Sequence, residues 1–300
     1  MKHLIYSLIG RYFPQLTVYI KKFKKQRTRK KLINDQRKGC AIQQSDIVRD
    51  LKKMNVREGD SLLVHSSLSK IGFVNGGAET VVNALLEALN PGGTLLMPSF
   101  PADTFHKEYL RRSPLFDIRN TPSNSGAISE CFRKMKEVQR SFHPTDPVCA
   151  FGPLADYFTS GHFGQLTPYN KFSPFYKLCE KKGKILMLGV TLDNAGTNLH
   201  LLEDAVEDFK FPVYDEQVFD VKMVDENGKT CSMKTKVHNP EYSLKRKCDE
   251  LIPLFEKEEV LQKGTVGKAL SMLIDATGML KVMLKYYKEK GVTMYTPHGS

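Results

Sequence analysis

The sequence predicts an α/β protein with a mixed, largely parallel central sheet flanked by helices. Three apolar runs of strand length, residues 61–65, 94–98 and 185–190, are separated by segments with helical periodicity. The first two runs enclose an amphipathic helix pattern at residues 79–89, which is the order of a βαβ unit and favours parallel pairing. With 300 residues, the chain is long enough to bury a substantial core.

The net charge of +12 is concentrated at the N-terminus. Residues 1–38 contain twelve Lys or Arg and one acid, a net charge of +11, so the remaining 262 residues carry +1. An apolar stretch at residues 3–20 precedes the basic run, which predicts a basic amphipathic arm over residues 1–40 and a separate domain over 41–296. Such an arm suits an anionic membrane surface. A solvated tail, a contact with a homodimer partner and nonspecific nucleic-acid binding are the alternatives.

The sequence favours a cytoplasmic protein, with the arm allowing peripheral attachment at the inner face of the membrane. No segment reaches the roughly 20 apolar residues that span a bilayer. The early apolar stretch contains Arg11 and Pro14 and lacks a small-residue cleavage site, so a secretory signal is not expected. The six cysteines show no C-x-x-C spacing, which is typical of reduced, packing cysteines. The body carries no motif for specific nucleic-acid recognition.

The other elements follow from local patterns. A helix is expected to start with Ser45 as its N-cap, and residues 101–124 are expected to form a long loop. Residues 125–136 and the segment from residue 198 to 208 show helical patterns. Residues 217–237 alternate around Asn227-Gly228, which indicates a β-hairpin. We expect the rest to be mostly helical, with Gly264 and Gly267 marking a break.

The first segment with functional chemistry is HSSLSKIGFVNGG at residues 65–77, between a strand and a helix. Glycines allow a backbone to approach a ligand closely, and the N–H groups at a helix start favour anionic groups. The segment therefore suits a cofactor with phosphates and an amide-bearing arm. It is neither a Walker loop nor G-x-G-x-x-G, and a simple connecting turn is the structural alternative.

The second is the pair His200 and Glu203. Their i, i+3 spacing places both side chains on one helix face, just after a predicted strand and turn where open α/β sheets commonly bind ligands. A carboxylate beside an imidazole fixes its tautomer and raises its basicity, as a general base requires. The alternative is an ion pair on a surface helix.

The remaining histidines give weaker signals. His143 precedes a proline at a turn, which is usually structural but also allows a substrate contact. His65 ends a buried strand, where a core histidine is the simpler interpretation. No partner can be inferred for His106, His162, His238 and His298, which lie in polar segments. None of the spacings matches H-E-x-x-H or another zinc pattern, so no metal site is predicted.

Together these segments resemble the aminoglycoside 3-N-acetyltransferase family. The matching stretches, in the family's order, are LLVHSSLSKIGFVNGGAETVVNALLEALNPGGTLLMPSF (62–100), PLFDIRNTPSNSGAISECFR (114–133), RSFHPTDPVCAFGP (140–153), SPFYKL (173–178) and GKILMLGVTLDNAGTNLHLLE (183–203). The resemblance covers roughly residues 45–285.

The resemblance implies a single α/β domain that differs from the GNAT fold, with acetyl-CoA or another acyl-CoA as donor and a primary amine as acceptor. It places the family's catalytic histidine and glutamate at His200 and Glu203, and its strand-end histidine at His65. The residues expected to bind the acyl-CoA are Ser66, Ser67, Leu68, Ile71, Phe73, Val74, Gly76, Gly77 and Ser125. Those expected to contact the acceptor are His143, Asp193 and Asn198.

The acceptor is expected to be an amino sugar on a nucleotide or lipid carrier, as in surface-polysaccharide synthesis. A near-neutral body with a basic arm fits an anionic carrier better than a polycation. The first alternative is an aminoglycoside 3-N-acetyltransferase that confers antibiotic resistance. The others are a hydrolase or deacylase that uses the same His/Glu pair, and a non-catalytic binding protein.

Overall fold

The computed structural model of the protein describes residues 26–27, 36 and 39–299. The basic arm predicted over residues 1–40 lies almost entirely outside the described residues, so its partner stays a prediction. Within the described part of the chain, no helix is long and apolar enough to cross a membrane.

The chain alternates short helices and strands. The α-helices are α1 (Gln44–Lys53), α2 (Leu68–Ile71), α3 (Gly77–Leu89), α4 (His106–Arg111), α5 (Ala127–Arg133), α6 (Ala155–Thr159), α7 (Pro174–Glu180), α8 (Leu192–Ala195), α9 (Leu201–Ala205), α10 (Pro240–Ser243), α11 (Ile252–Lys257) and α12 (Ala276–Lys290). The 3-10 helices are Thr197–His200 and Cys248–Leu251. The strands are β1 (Ser61–Ser66), β2 (Thr94–Pro98), β3 (Phe116–Asp117), β4 (Gln139–Arg140), β5 (Val148–Phe151), β6 (Lys184–Leu188), β7 (Phe219–Val224), β8 (Thr230–Thr235), β9 (Leu261–Val266) and β10 (Ala269–Asp275).

Seven of the described strands form one mixed sheet in the order β4-β5-β2-β1-β6-β10-β9. The central strands β2, β1 and β6 pair in parallel, and the strands on either side of them pair antiparallel. This confirms the mixed α/β architecture predicted from the βαβ pattern. The carboxyl ends of the three parallel strands therefore meet at one edge of the sheet, where the loops after β1 and β6 lie side by side.

The sheet is buried on both faces. Along β1, Leu63 packs into one apolar cluster, whereas Leu62 and Val64 pack into the other, because successive side chains of a strand point to opposite faces. Helix α12 contributes Met279 to the first cluster, and helix α3 contributes Leu85 to the second. Helical cover on both faces explains why the central strands are apolar at nearly every position.

A smaller sheet carries the predicted hairpin. β7 and β8 pair antiparallel, and β3 adds to β7 in parallel. Gly228 lies in the turn with a φ of 77°, a conformation that glycine adopts without strain. Phe116, Val221 and Met233 are the centre of this sheet's own apolar cluster. The hairpin predicted from the alternation over residues 217–237 is thus confirmed.

Two predictions before the hairpin were wrong. Residues 101–124 are not a continuous loop, since they contain α4 and β3. The helix expected with Ser45 as its N-cap begins at Gln44, with Gln43 at the N-cap instead. There the Asp46 carboxylate accepts a hydrogen bond from the Gln43 backbone N–H, so the polar group that caps the helix start lies inside the first turn.

The prediction for the C-terminal part was also wrong in one respect. The expected helical region contains β9 and β10, joined by a turn at Gly267 with a φ of 57°. Gly264 lies within β9 and does not mark a helix break. A side chain larger than that of glycine is excluded at this position because Met54 packs against it. A Cβ atom at Gly264 would lie 2.9 Å from Cγ of Met54. The helical part of the prediction holds for α10, the 3-10 helix at Cys248–Leu251, α11 and α12.

Candidate active site

The candidate site lies where the parallel strands β1 and β6 end. His65 is the last buried residue of β1, and its Nε2 atom lies 2.9 Å from Oγ1 of Thr197. Thr197 opens the 3-10 helix in the loop after β6, so this contact joins the carboxyl ends of two adjacent strands. Burial lowers the pKa of His65 to about 4, which keeps the imidazole neutral. The site therefore lies at the edge formed by the carboxyl ends of the strands, where open α/β sheets usually bind ligands.

His200 and Glu203 are in direct contact. Nδ1 of His200 lies 2.8 Å from Oε2 of Glu203, and both side chains are buried. The continuous helix expected from residue 198 is in fact a 3-10 turn that passes into α9, and the two residues straddle that junction. The i, i+3 spacing still brings them together, since both helix types place such residues on one face.

Two residues that sequence reasoning missed complete the surroundings of Glu203. Nε2 of His238 lies 2.7 Å from the same Oε2 atom, and the Tyr295 hydroxyl donates to Oε1 at 2.6 Å. These partners lie 35 and 92 positions from Glu203. No local spacing could have indicated them, because only the tertiary fold brings these segments together. The buried carboxylate thus accepts three hydrogen bonds.

The charges in this group follow from burial and from those hydrogen bonds. Burial alone would raise the pKa of Glu203, but His200 and His238 lower it well below its usual range. Burial lowers the pKa of His200 to about 3 against the opposing attraction of Glu203. Glu203 is therefore a carboxylate and His200 a neutral imidazole. Since a carboxylate only accepts hydrogen bonds, the His200 proton lies on Nδ1, and Nε2 carries a free lone pair.

A second polar group packs against His200. The Tyr169 ring stacks on the imidazole with centroids 4.8 Å apart, and its hydroxyl donates to Oδ1 of Asp146 at 2.7 Å. The other oxygen of Asp146 lies 3.6 Å from Nδ1 of His106, which is partly exposed. Burial would raise the pKa of Asp146, but His106 and His143 lower it to about 2. The buried Asp146 carboxylate thus lies one ring away from the candidate base, on the far side of Tyr169.

The glycine-rich segment lines a cavity of about 510 Å³ that begins at the residue after His65. Its walls are Ser66, Ser67, Leu68, Ser69, Gly72, Phe73, Val74, Gly77, Gly126 and Ala127. Six of the nine residues predicted to bind the acyl-CoA are among them. The volume is within the usual range for small-molecule sites.

The other three predicted residues support this cavity from outside its walls. Ile71 is fully buried in the core. Gly76 has a φ of 78° at the start of α3, and a Cβ atom there would lie 2.3 Å from Oγ1 of Thr80. Ser125 accepts a hydrogen bond from the Phe100 backbone N–H and precedes the wall residue Gly126. Their contact with a donor molecule stays a prediction.

The three residues predicted to contact the acceptor are not brought together. His143 is fully buried and stacks on His162 with centroids 4.4 Å apart, which favours the structural interpretation of its turn. Asp193 is exposed and exchanges two hydrogen bonds with Asp249, one through each backbone N–H. Asn198 is buried in the same 3-10 turn as His200. Of the three predicted acceptor residues, only Asn198 lies close to the candidate base along the chain.

The cluster of His200, Glu203 and His238 also has the chemistry of a metal site. Its candidate ligand atoms lie within 4.8 Å of one another. Both imidazoles, however, are at hydrogen-bond distance from one carboxylate oxygen, 2.8 and 2.7 Å. An ion bound to all three would have to break both hydrogen bonds, so we describe the cluster as a hydrogen-bonded group.

Comparison with known proteins gives a consistent result. A sequence model of the family described as aminoglycoside 3-N-acetyltransferase matches residues 63–288. Aminoglycoside N(3)-acetyltransferase IV of a Salmonella species is 30% identical over 263 residues, which cover 85% of this chain and 91% of that relative. A prophage-derived aminoglycoside N(3')-acetyltransferase-like protein of Bacillus subtilis, YokD, is 35% identical over 176 residues. That match covers 52% of this chain and 63% of the relative, which is less than two thirds of its length.

Solved structures agree. The crystal structure of the Bacillus subtilis YokD protein is 28% identical, with a TM-score of 0.67 over 82% of this chain and 93% of that one. A structure of AAC-VIa bound to sisomicin is 25% identical, with a TM-score of 0.68 over 83% of this chain and 98% of that one.

Proposed function

Since the chain belongs to the aminoglycoside 3-N-acetyltransferase family, we propose that it transfers the acetyl group of acetyl-CoA to an amine of an aminoglycoside antibiotic. The family predicted from the sequence motifs is confirmed, and with it the enzyme class, an acyl-CoA-dependent N-acyltransferase, and the donor. The hydrolase and the non-catalytic binding protein considered from sequence are therefore set aside.

The observation that carries the proposed mechanism is the neutral His200 imidazole held by a buried carboxylate. The acceptor amine must be neutral to attack the thioester carbonyl. As the new C–N bond forms, the nitrogen becomes acidic and His200 Nε2 takes its proton. The C–S bond then breaks, and the proton passes to the departing thiolate, which leaves as the thiol of CoA. Glu203 acts through His200, because it fixes the tautomer and stabilises the imidazolium that forms.

The cavity lined by residues 66–77 supports the assignment of the donor site. It starts at Ser66, next to His65, so a thioester held in the cavity would lie near the carboxyl end of β1. The walls combine backbone N–H groups, serine hydroxyls and the apolar side chains of Leu68, Phe73 and Val74. That mixture suits the amide-bearing arm of CoA.

An aminoglycoside acceptor, the first alternative in the sequence analysis, is better supported than a nucleotide- or lipid-linked amino sugar. Aminoglycoside N(3)-acetyltransferase IV acts, by name, on aminoglycosides, and AAC-VIa is bound to sisomicin. The Asp146 carboxylate beside His106 also supports an acceptor that carries several ammonium groups. Surface-polysaccharide synthesis has no comparable support.

The test is an acceptor comparison with the purified protein. CoA release from acetyl-CoA is measured with a thiol reagent in the presence of kanamycin, sisomicin or a nucleotide-linked amino sugar, and without acceptor. We expect turnover with at least one aminoglycoside at a kcat/KM at least tenfold above that with the nucleotide sugar. Faster turnover of the nucleotide sugar would overturn the acceptor assignment, and equal CoA release without acceptor would overturn acyl transfer.

A further inference from the structure

His238 shares one oxygen of Glu203 with the candidate base. Its Nε2 atom lies 2.7 Å from Oε2, and Nδ1 of His200 lies 2.8 Å from the same atom. The two imidazole rings are 4.1 Å apart at their centroids. A change in the charge or position of one imidazole therefore alters the hydrogen bond of the other, because both bind the same carboxylate oxygen.

The fold holds His238 rigidly in this place. Its backbone forms a β-bridge with Tyr214, and the adjoining Asn239 N–H donates to the carbonyl of Val213 at 2.8 Å. The Tyr214 ring stacks on the imidazole with centroids 4.7 Å apart. The His200 ring is also in contact with it, so the His238 ring packs against two aromatic rings. Such restraint is expected of a residue whose hydrogen bond has a geometric purpose.

The chemistry of Glu203 requires such a partner. A fully buried carboxylate is costly unless donors surround it, and when only one donor holds it, the carboxylate can rotate. Tyr295 holds Oε1, and His238 shares Oε2 with His200. With three donors, both the position and the negative charge of the carboxylate are fixed before the reaction begins.

We infer that His238 is a positioning residue for acetyl transfer: its Nε2–H fixes the Glu203 carboxylate and shares the charge that Glu203 would otherwise direct to His200 alone. This inference rests on the proposed function for its kinetic consequences. The geometry further requires opposite tautomers in the two imidazoles. His200 carries its proton on Nδ1, and His238 carries its proton on Nε2, because both donate to an oxygen that only accepts.

A pair of variants separates hydrogen bonding from space filling. H238Q keeps an N–H donor at the reach of Nε2, whereas H238L fills a similar volume without a donor. We expect H238L to lower kcat with acetyl-CoA and an aminoglycoside by about 10- to 100-fold, because the carboxylate that orients His200 loses one of its donors. H238Q should stay within about threefold of the wild type, and the KM for acetyl-CoA should not change in either variant. A wild-type kcat in H238L, or an equal loss in H238Q and H238L, would overturn the inference.

The tautomers provide a test on the unaltered protein. Histidine ring 15N chemical shifts, assigned with H200Q and H238Q, report which nitrogen carries each proton. We expect Nδ1–H in His200 and Nε2–H in His238 at pH 7.5. A His238 ring protonated on Nδ1 alone would overturn the inference whether or not H238L folds.

The two levels of proposal fail differently. If the wild-type protein acetylates no amine, the proposed function fails. The 15N measurement then still tests whether His238 donates to Glu203. If the wild type is active and H238L is equally active, only the role of His238 fails.

Discussion

The hydroxyl of Tyr295 lies 2.6 Å from Oε1 of Glu203 and joins the C-terminal segment to the candidate base. Burial raises the pKa of Tyr295 well above its usual value, and the carboxylate adds to that effect, so the phenol keeps its proton and can only donate to Glu203. The segment after α12 is therefore part of the active-site structure rather than a tail.

Replacing Tyr295 with Phe removes one of the three donors to Glu203. We expect Y295F to lower kcat by about 5- to 10-fold and the free energy of unfolding by about 1–2 kcal/mol, because a buried acceptor loses a partner. Steady-state kinetics and urea unfolding measure the two effects. Y286F is the matched control, since Tyr286 donates to Glu258 at the same 2.6 Å outside the site. Equal kcat values for Y295F and Y286F would contradict this role.

Asp146 is expected to attract the acceptor. D146N keeps the shape of the side chain and removes its charge, so we expect the KM for kanamycin to rise about tenfold while the KM for acetyl-CoA stays constant. D220N is the control, because Asp220 is exposed on the hairpin strand β7. Initial rates at varied kanamycin concentration give the result. An unchanged KM for kanamycin would place the acceptor elsewhere.

Gly76 is expected to shape the donor cavity. Alanine at this position meets Oγ1 of Thr80 at 2.3 Å in a backbone with a φ of 78°, so we expect G76A to weaken acetyl-CoA binding at least fivefold. Isothermal titration calorimetry measures that affinity. G228A imposes the same backbone strain, with a φ of 77° and open space around the new methyl group. Equal acetyl-CoA affinities in the two variants would show that the turn does not shape the cavity.

Stability should fall as the pH decreases from about 6.5 towards 4. Burial lowers the pKa of His65 and His162 to about 4 and that of His200 to about 3, against an ordinary value of 6.5. The unfolded chain therefore takes up protons in this range while the folded protein does not, and this difference favours unfolding at lower pH. Urea unfolding at pH 7.5, 6 and 5 measures the slope, and H65Q should reduce it. A stability that does not change between pH 7.5 and 5 would contradict the burial of neutral imidazoles.

Local patterns in the sequence were sufficient for part of this structure. Apolar runs and helical spacing predicted β1, α3 and β2, because each signal lies within a few residues. The i, i+3 spacing predicted the contact of His200 with Glu203 for the same reason. β9 was missed because a glycine such as Gly264 usually indicates a break in a helix or strand. The glycine is needed here because the side chain of Met54, more than 200 positions away along the chain, packs against it.

The same limit applies to the site. His238 and Tyr295 carry no local motif, and their contacts with Glu203 arise only when the hairpin region and the C-terminal segment fold against α9. Asp146 was likewise hidden, because its partners His106 and Tyr169 lie in a region expected to be a loop and in an unassigned segment.

The most direct test of the mechanism is the kcat of H200A with acetyl-CoA and the best aminoglycoside acceptor, measured beside the binding constant for acetyl-CoA. We expect kcat to fall by about 10²- to 10⁴-fold, because the base is lost, while acetyl-CoA binds as tightly as in the wild type. H298A, which alters an exposed histidine paired with Glu250, should leave both quantities unchanged. A kcat for H200A equal to that of the wild type would contradict the assignment of His200 as the base.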